Sequence, residues 1–203
     1  MDAFGVSRTV LREALRTLTS KGLVESRPRV GTRVRPRDAW NLLDADVLQW
    51  YARVAPPVAF ALKLQEMREM IEPFAAGLAA GIAADAKDDA TDDAKGSAAL
   101  AALAYAHDAM VAARNVDEWV RADLRFHLAV LAACDNELLV PLGTLIERTL
   151  EGQLRLNAKR ADVYNAALPA HTAVFDAIRR GNATRARRAM ATLLEGTRER
   201  IEG

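Results

Sequence analysis

The chain has 203 residues, enough for one ordinary domain and a small one, and 51% of them are apolar while only 5% are aromatic. No apolar run is long enough to span a bilayer, Met1-Asp2-Ala3 does not read as a signal peptide, and the single cysteine, Cys134, excludes an internal disulfide and fits a reducing cytoplasm. The formal net charge of +1 hides an asymmetry: residues 1–37 hold nine Lys or Arg against three acids, leaving 19 against 24 in the remainder. A basic front on an acidic body is expected to meet a phosphate backbone at one end only.

The first element runs from Phe4 to Lys21. Ser7 is a good N-cap, and beyond it Val10, Leu11, Ala14, Leu15 and Leu18 recur at the spacing of one buried helical face. Arg8, Thr9, Arg12 and Arg16 fall on other faces, three of them in the opening turn and a half. That is the design of a recognition helix, whose N-terminal residues reach base edges while its apolar back sits on the domain. Gly22 ends the helix, and Leu23–Ser26 reads as a short strand. Arg27-Pro28-Arg29-Val30-Gly31 is a basic turn, and Thr32–Arg35 a second strand. Helix, strand, basic glycine turn and strand make a winged helix-turn-helix.

The stretch GVSRTVLREALRTLTSKGLVESRPRVGTRVRPR resembles the DNA-binding half of GntR-type bacterial transcription regulators. It carries the Ser-Arg-Thr, Arg-Glu-Ala-Leu and Gly-Thr landmarks in order. The resemblance implies a repressor or activator that binds a pseudo-palindromic operator as a homodimer. Its DNA-facing positions would be Ser7, Arg8, Thr9 and Arg12, with Gly31 at the wing tip. The family has further residues upstream, forming the first helix and most of the second. A fragment, a misplaced start or an incomplete domain is therefore expected, with a weakly stabilised DNA module that binds its operator weakly.

Pro36 to Pro57 reads as a linker, and WNLLDADVLQW within it is apolar enough to be expected to pack on a second domain. That run also resembles the galactonate- and other sugar-acid-responsive branch of the family. Six helical segments follow: Val58–Ala84, Ala98–Arg114, Val116–Cys134, Glu137–Ala158, Ala161–Arg180 and Ala183–Ile201. The tract from Ala84 to Ser97, acidic and built of small residues, is expected to be a solvated loop.

In the third of these segments Asp123 and His127 stand four apart, one turn apart on a single helix face, so a carboxylate oxygen and an imidazole nitrogen can converge on one cation. His171 and Arg68 are the other notable groups. Glu69 and Glu72 are each placed to neutralise Arg68 as a surface pair, and His107 is expected to be solvated. Cys134 suits a small buried hydrophobe better than a nucleophile. The segments MREMIEPFAAGLAA, ADLRFHLAVLAACDNELL and HTAVFDAIRRGNATRARRAM resemble, in order, the all-helical ligand-binding FCD domain of FadR-type GntR regulators.

That resemblance covers residues 57–203. It implies a mainly all-α fold, a partial winged helix-turn-helix over 1–37, a linker over 38–56 and a six-helix antiparallel bundle over 57–203. It also implies a divalent metal held by an aspartate and three histidines, and a small carboxylate effector bridging the metal and an arginine. Asp123, His127 and His171 match three ligands and Arg68 the arginine, but Leu193 stands where the fourth ligand is expected. Zinc leads by ligand type, with nickel or manganese behind it. Arg148, Arg155 and Asn157 are further candidates to face the cavity.

The function expected is an effector-responsive DNA-binding regulator, not an enzyme, that represses a sugar-acid or related carboxylate operon. Two alternatives remain at this point. One is a metal-dependent hydrolase or isomerase on the Asp-His-His site. The other is an effector-binding or dimerising module without working DNA contacts.

Overall fold

Ser7 starts the first helix, α1 (Arg8–Ser20), with its hydroxyl accepting a hydrogen bond from the Val10 amide at 3.3 Å. The helix ends as the sequence anticipates. Gly22 takes φ +75°, its amide bonds the Thr19 carbonyl, and the Leu23 amide bonds that of Leu18, a Schellman closure. Strands β1 (Val24–Arg27) and β2 (Gly31–Val34) pair antiparallel, Val24 opposite Val34 and Arg27 opposite Gly31. Arg29 (φ 63°) and Gly31 (φ 90°) turn the chain between them.

In this computed structural model the described residues are 5–88, 94–147 and 162–202. The chain divides into two compact units, Met1–Arg53 and Val54–Gly203. The contacts of the expected linker run back onto the first unit. Lys21 Nζ bonds both oxygens of Asp44 (2.9 and 2.8 Å) and one of Asp46 (2.8 Å), and Trp40 Nε1 donates to the Arg35 carbonyl (2.9 Å). The Asp44 carboxylate also accepts the Asp46 and Val47 amides, which starts α2 (Ala45–Val54). Val47 and Val24 are the buried apolar residues of this unit among those described.

The second unit is a helical bundle. Its elements are α3 (Pro57–Asp88), α4 (Ala94–Ala112), α5 (Val116–Ala133), α6 (described over 140–147), α7 (Asp162–Arg179) and α8 (Ala183–Glu202). The acidic tract expected to be a loop is instead helical at both ends, over 84–88 and 94–97. Its alanines favour helix strongly enough to outweigh the charge pattern. The break after α7 is tight: Gly181 has φ +79°, and a Cβ there would sit 2.8 Å from that of Ala84 on α3. Gln65 on α3 bonds the Leu194 carbonyl (2.8 Å), and Arg198 grips Glu69 with two bonds (2.9 and 2.7 Å), so α3 and α8 are tied over successive turns.

The core is rich in alanine where helices approach and in larger apolar groups elsewhere. Ala75, Ala76, Ala79 and Ala80 on α3 are buried with Phe126, Leu131, Met190 and Leu194. Cys134, buried at the end of α5, donates to the Leu131 carbonyl and behaves as the small hydrophobe expected. His107 corrects an expectation. It is 9% exposed, stacks on Phe175 at 4.6 Å and bonds the Thr172 hydroxyl at 2.9 Å. It shares a face of α4 with Leu103, Ala106 and Met110, which takes it inside.

Candidate metal centre and nucleic-acid face

Helix α5 brings the ligand set together. Asn115 caps it by accepting the Glu118 amide (2.9 Å), and the Glu118 carboxylate reaches back to the Arg114 amide (2.8 Å). From that fixed start Trp119, Asp123, Phe126 and His127 all face inward. The His127 Nε2 lies 3.8 Å from Asp123 Oδ1, and His171 of α7 brings its own Nε2 to 2.9 Å from the same oxygen. Asp123, His127 and His171 are 7%, 3% and 2% exposed, and one ligand atom from each lies within 4.8 Å of the others. Around a zinc ion with bonds of about 2.1 Å, neighbouring ligand atoms stand roughly 3.4 Å apart, so modest side-chain adjustment closes the set.

Hydrogen bonds decide which ring nitrogens face the centre. The His171 Nδ1 donates to the Ala167 carbonyl (2.9 Å), and the His127 Nδ1 donates to Glu72 Oε2 (2.5 Å). In the neutral tautomers so fixed, both Nε2 atoms carry lone pairs aimed toward Asp123. The His171 Nε2 is buried and makes no hydrogen bond of acceptable direction, although Asp123 Oδ1 is only 2.9 Å away. Two acceptors held that close require a cation between them, a proton or a metal ion. The donor set therefore fits a divalent metal.

Aromatic rings enclose the centre. Phe126 meets His127 and His171 edge-on at 5.8 and 5.2 Å, and Trp119 meets His171 at 5.8 Å. Burial alone would raise the Asp123 carboxyl, but the short contact with His171 and the fields of His127 and Arg68 hold it well below the carboxylate range.

Arg68, on α3, is buried at 2% exposure and is not a surface pair. Its Nε donates to Glu72 Oε1 at 2.7 Å, while Glu72 Oε2 takes the His127 proton. Burial pushes the Glu72 carboxyl up, and Arg68 and His127 together outweigh it, to about 2. Glu69 turns the other way, to Arg198 and Gln65. Glu72 is thus the site residue that sequence reasoning undervalued. The signal was available: Arg68 and Glu72 share a face of α3 with Leu64, Ala75, Ala76 and Ala79, all buried. Leu193 is buried at 3% in the core, so these residues offer three ligands. Arg148, Arg155 and Asn157 lie outside the described residues.

In the first unit Arg8, Thr9 and Arg12 are exposed along the start of α1, beside Ser7 at its cap, and Gly31 is exposed at the hairpin. The apolar face is less covered than the pattern suggests. Val10 is 55% exposed, Ala14 is exposed, and Leu11, Leu15 and Leu18 are partly covered.

A helix-and-wing unit joined to a helical bundle with a buried carboxylate–imidazole centre defines a class: DNA-binding regulators with an appended ligand domain. Residues 1–34 match the bacterial regulatory proteins of the gntR family, and residues 63–196 match the FCD domain. The chain is 32% identical to the galactonate operon transcriptional repressor of Escherichia coli (strain K12), over 99% of this chain and 83% of that protein. Its fold resembles the Streptococcus agalactiae GntR structure (TM-score 0.56, 21% identity, 98% and 84% of the two chains). It also resembles that of Lar, which controls the agr system of Listeria monocytogenes (TM-score 0.62, 17% identity, 99% and 82%). The chain belongs to the GntR family of transcriptional regulators and carries an FCD domain. These are regulators and not enzymes, which sets aside a hydrolase or isomerase at the Asp-His-His centre. No described helix is long and apolar enough to cross a membrane.

Proposed function

We propose that this chain is a cytoplasmic, homodimeric repressor whose bundle binds a small carboxylate, a sugar acid such as galactonate being the first candidate, next to a divalent metal on Asp123, His127 and His171. The observation that supports it best is the buried contact of His171 Nε2 with Asp123 Oδ1, two acceptors that need a cation between them. Bound zinc would act as a Lewis acid for carboxylate and hydroxyl oxygens, with water or effector completing the shell.

The chain's own residues do the rest. Glu72 and the Ala167 carbonyl orient the two imidazoles, Phe126 and Trp119 exclude water, and Arg68 stands on the α3 side, paired with Glu72. Ser7, Arg8, Thr9 and Arg12, with Gly31 at the wing tip, form the nucleic-acid face. Effector binding regulates by favouring one arrangement of the two DNA units over another, which requires unequal affinity for the two. The choice of galactonate rests on the relative's name.

The test joins elemental analysis to an operator gel shift. The purified protein should hold a stoichiometric divalent ion, lost in His127→Ala, and galactonate should release operator DNA from the wild type but not from that variant. A metal-free purified protein that cannot be loaded with zinc would reject the metal. A galactonate response that survives His127→Ala would put the effector elsewhere.

A further inference from the structure

We propose that Glu72 makes carboxylate recognition by this site conditional on the metal, because it neutralises Arg68 and orients His127 with the same carboxylate. The proposal deepens the reading of the centre as a metal-assisted carboxylate site and rests on it. The observation is a single chain of contacts. Arg68 Nε lies 2.7 Å from Glu72 Oε1, Glu72 Oε2 lies 2.5 Å from His127 Nδ1, and His127 Nε2 lies 3.8 Å from Asp123 Oδ1. Glu72 is wholly buried, and Arg68 and His127 are 2% and 3% exposed, so water screens none of these charges well.

Counting charge gives the consequence. Without a metal, the proton that the His171–Asp123 contact requires joins Arg68 against Glu72 and Asp123, so the cluster carries no net positive charge. An anionic ligand entering it would meet no net attraction and a guanidinium already engaged. Arg200, the other cation that feels Asp123, is exposed, bonds the Thr197 hydroxyl at 2.9 Å, and is screened by solvent. A divalent ion on Asp123, His127 and His171, in place of that proton, leaves the cluster net positive, and a carboxylate then becomes welcome. Without Glu72, Arg68 would attract a carboxylate with or without the metal, and the site would lose its order of binding. Glu72 is a positioning residue in this scheme. It also lies second in line to the metal, where a carboxylate fixes the tautomer and direction of a ligating histidine.

The experiment uses the full chain, stripped with a chelator and reloaded with zinc, at one fixed pH throughout. Zinc affinity is measured first, by competition with a chromophoric chelator. Labelled acetate, the smallest carboxylate, is then titrated by NMR into metal-free and zinc-loaded wild type and Glu72→Gln. Wild type should bind acetate at least about tenfold more tightly with zinc than without. In Glu72→Gln the metal-free form should gain acetate affinity, the zinc dependence should fall below about threefold, and zinc affinity should drop roughly 10–100-fold.

Equal acetate binding by the two wild-type forms overturns the proposal, and that comparison stands even where the variant fails to fold. So does a Glu72→Gln that keeps the wild-type zinc dependence, or acetate binding by no form. Failure of wild type to bind zinc in the first step is a different result, because it removes the metal reading itself.

Discussion

Helices α1 and α5 are both amphipathic, both capped by a side chain at the first turn, and both carry the residues on which function is expected to depend. They use the helix in opposite senses. None of the 13 residues of α1 is buried, whereas 11 of the 18 in α5 are, two of them the ionisable Asp123 and His127. A surface that meets a phosphate backbone can leave its arginines exposed, as Arg8, Arg12 and Arg16 are, since the attraction is long-ranged and tolerant of geometry. The centre on α5, proposed here to hold one small ion, has its candidate ligands desolvated and fixed by neighbours. Stability therefore belongs to the bundle, and recognition of nucleic acid is carried by a unit with little core among its described residues.

Truncating one apolar side chain in each helix gives the widest separation. Phe126→Ala removes a fully buried ring that touches both His127 and His171, and should cost about 3–5 kcal/mol of bundle stability. Leu15→Ala on α1 removes a partly covered side chain and should cost less than about 1 kcal/mol. Denaturant unfolding of the full chain, followed by helical circular dichroism, measures both. Similar costs for the two would mean that α1 has a core of its own.

Reversing the readout sharpens the same contrast. Arg8→Ala should leave unfolding unchanged and weaken operator binding by roughly 1–3 kcal/mol if Arg8 meets a base edge. If it meets only phosphate, the loss should be uniform across sequences and the salt dependence should flatten. An Arg8→Ala protein that binds the operator as tightly as wild type at low and moderate salt removes this residue from the interface.

How far each region could be foreseen follows from how local its signals are. The cap at Ser7, the Schellman stop at Gly22 and the hairpin around Gly31 depend on a few adjacent residues, and the structure forms all three. The Asp123–His127 pair is likewise local, while its meeting with His171 could be anticipated only through resemblance, because α7 is brought alongside by packing of the whole bundle. Glu72 was harder. Four residues from Arg68 it looks like any helical surface pair, and what distinguishes it is the depth of that face of α3, visible only when the neighbouring alanines are read with it. The segment 36–53 depends on a signal of intermediate range. Its apolar run raised the expectation of packing on the second domain, and the pairing of Asp44 and Asp46 with Lys21, at the end of α1, joins residues more than twenty apart that no local pattern links.

That clamp yields the smallest effect and the most local test. The Asp44 carboxyl is lowered from 3.8, first by its hydrogen bond with Lys21, and Lys21 is raised from 10.5, first by the same bond. A carboxylate with a lowered folded value stabilises above its unfolded value and loses that contribution as pH falls through the folded one. A lysine with a raised value contributes below 10.5 and loses it as pH climbs through the folded one. The clamp is therefore complete between those limits and weakens beyond either of them. Asn can still cap α2, so Asp44→Asn removes chiefly the charge. Amide exchange at Asp46 and Val47, whose N–H groups bond Asp44 Oδ1, reports on it directly. Near neutral pH the variant should lower protection there by less than about fivefold, and the difference should fade as pH drops below 3.8. A difference that persists unchanged into acid would mean that shape, and not charge, holds this segment against the recognition helix.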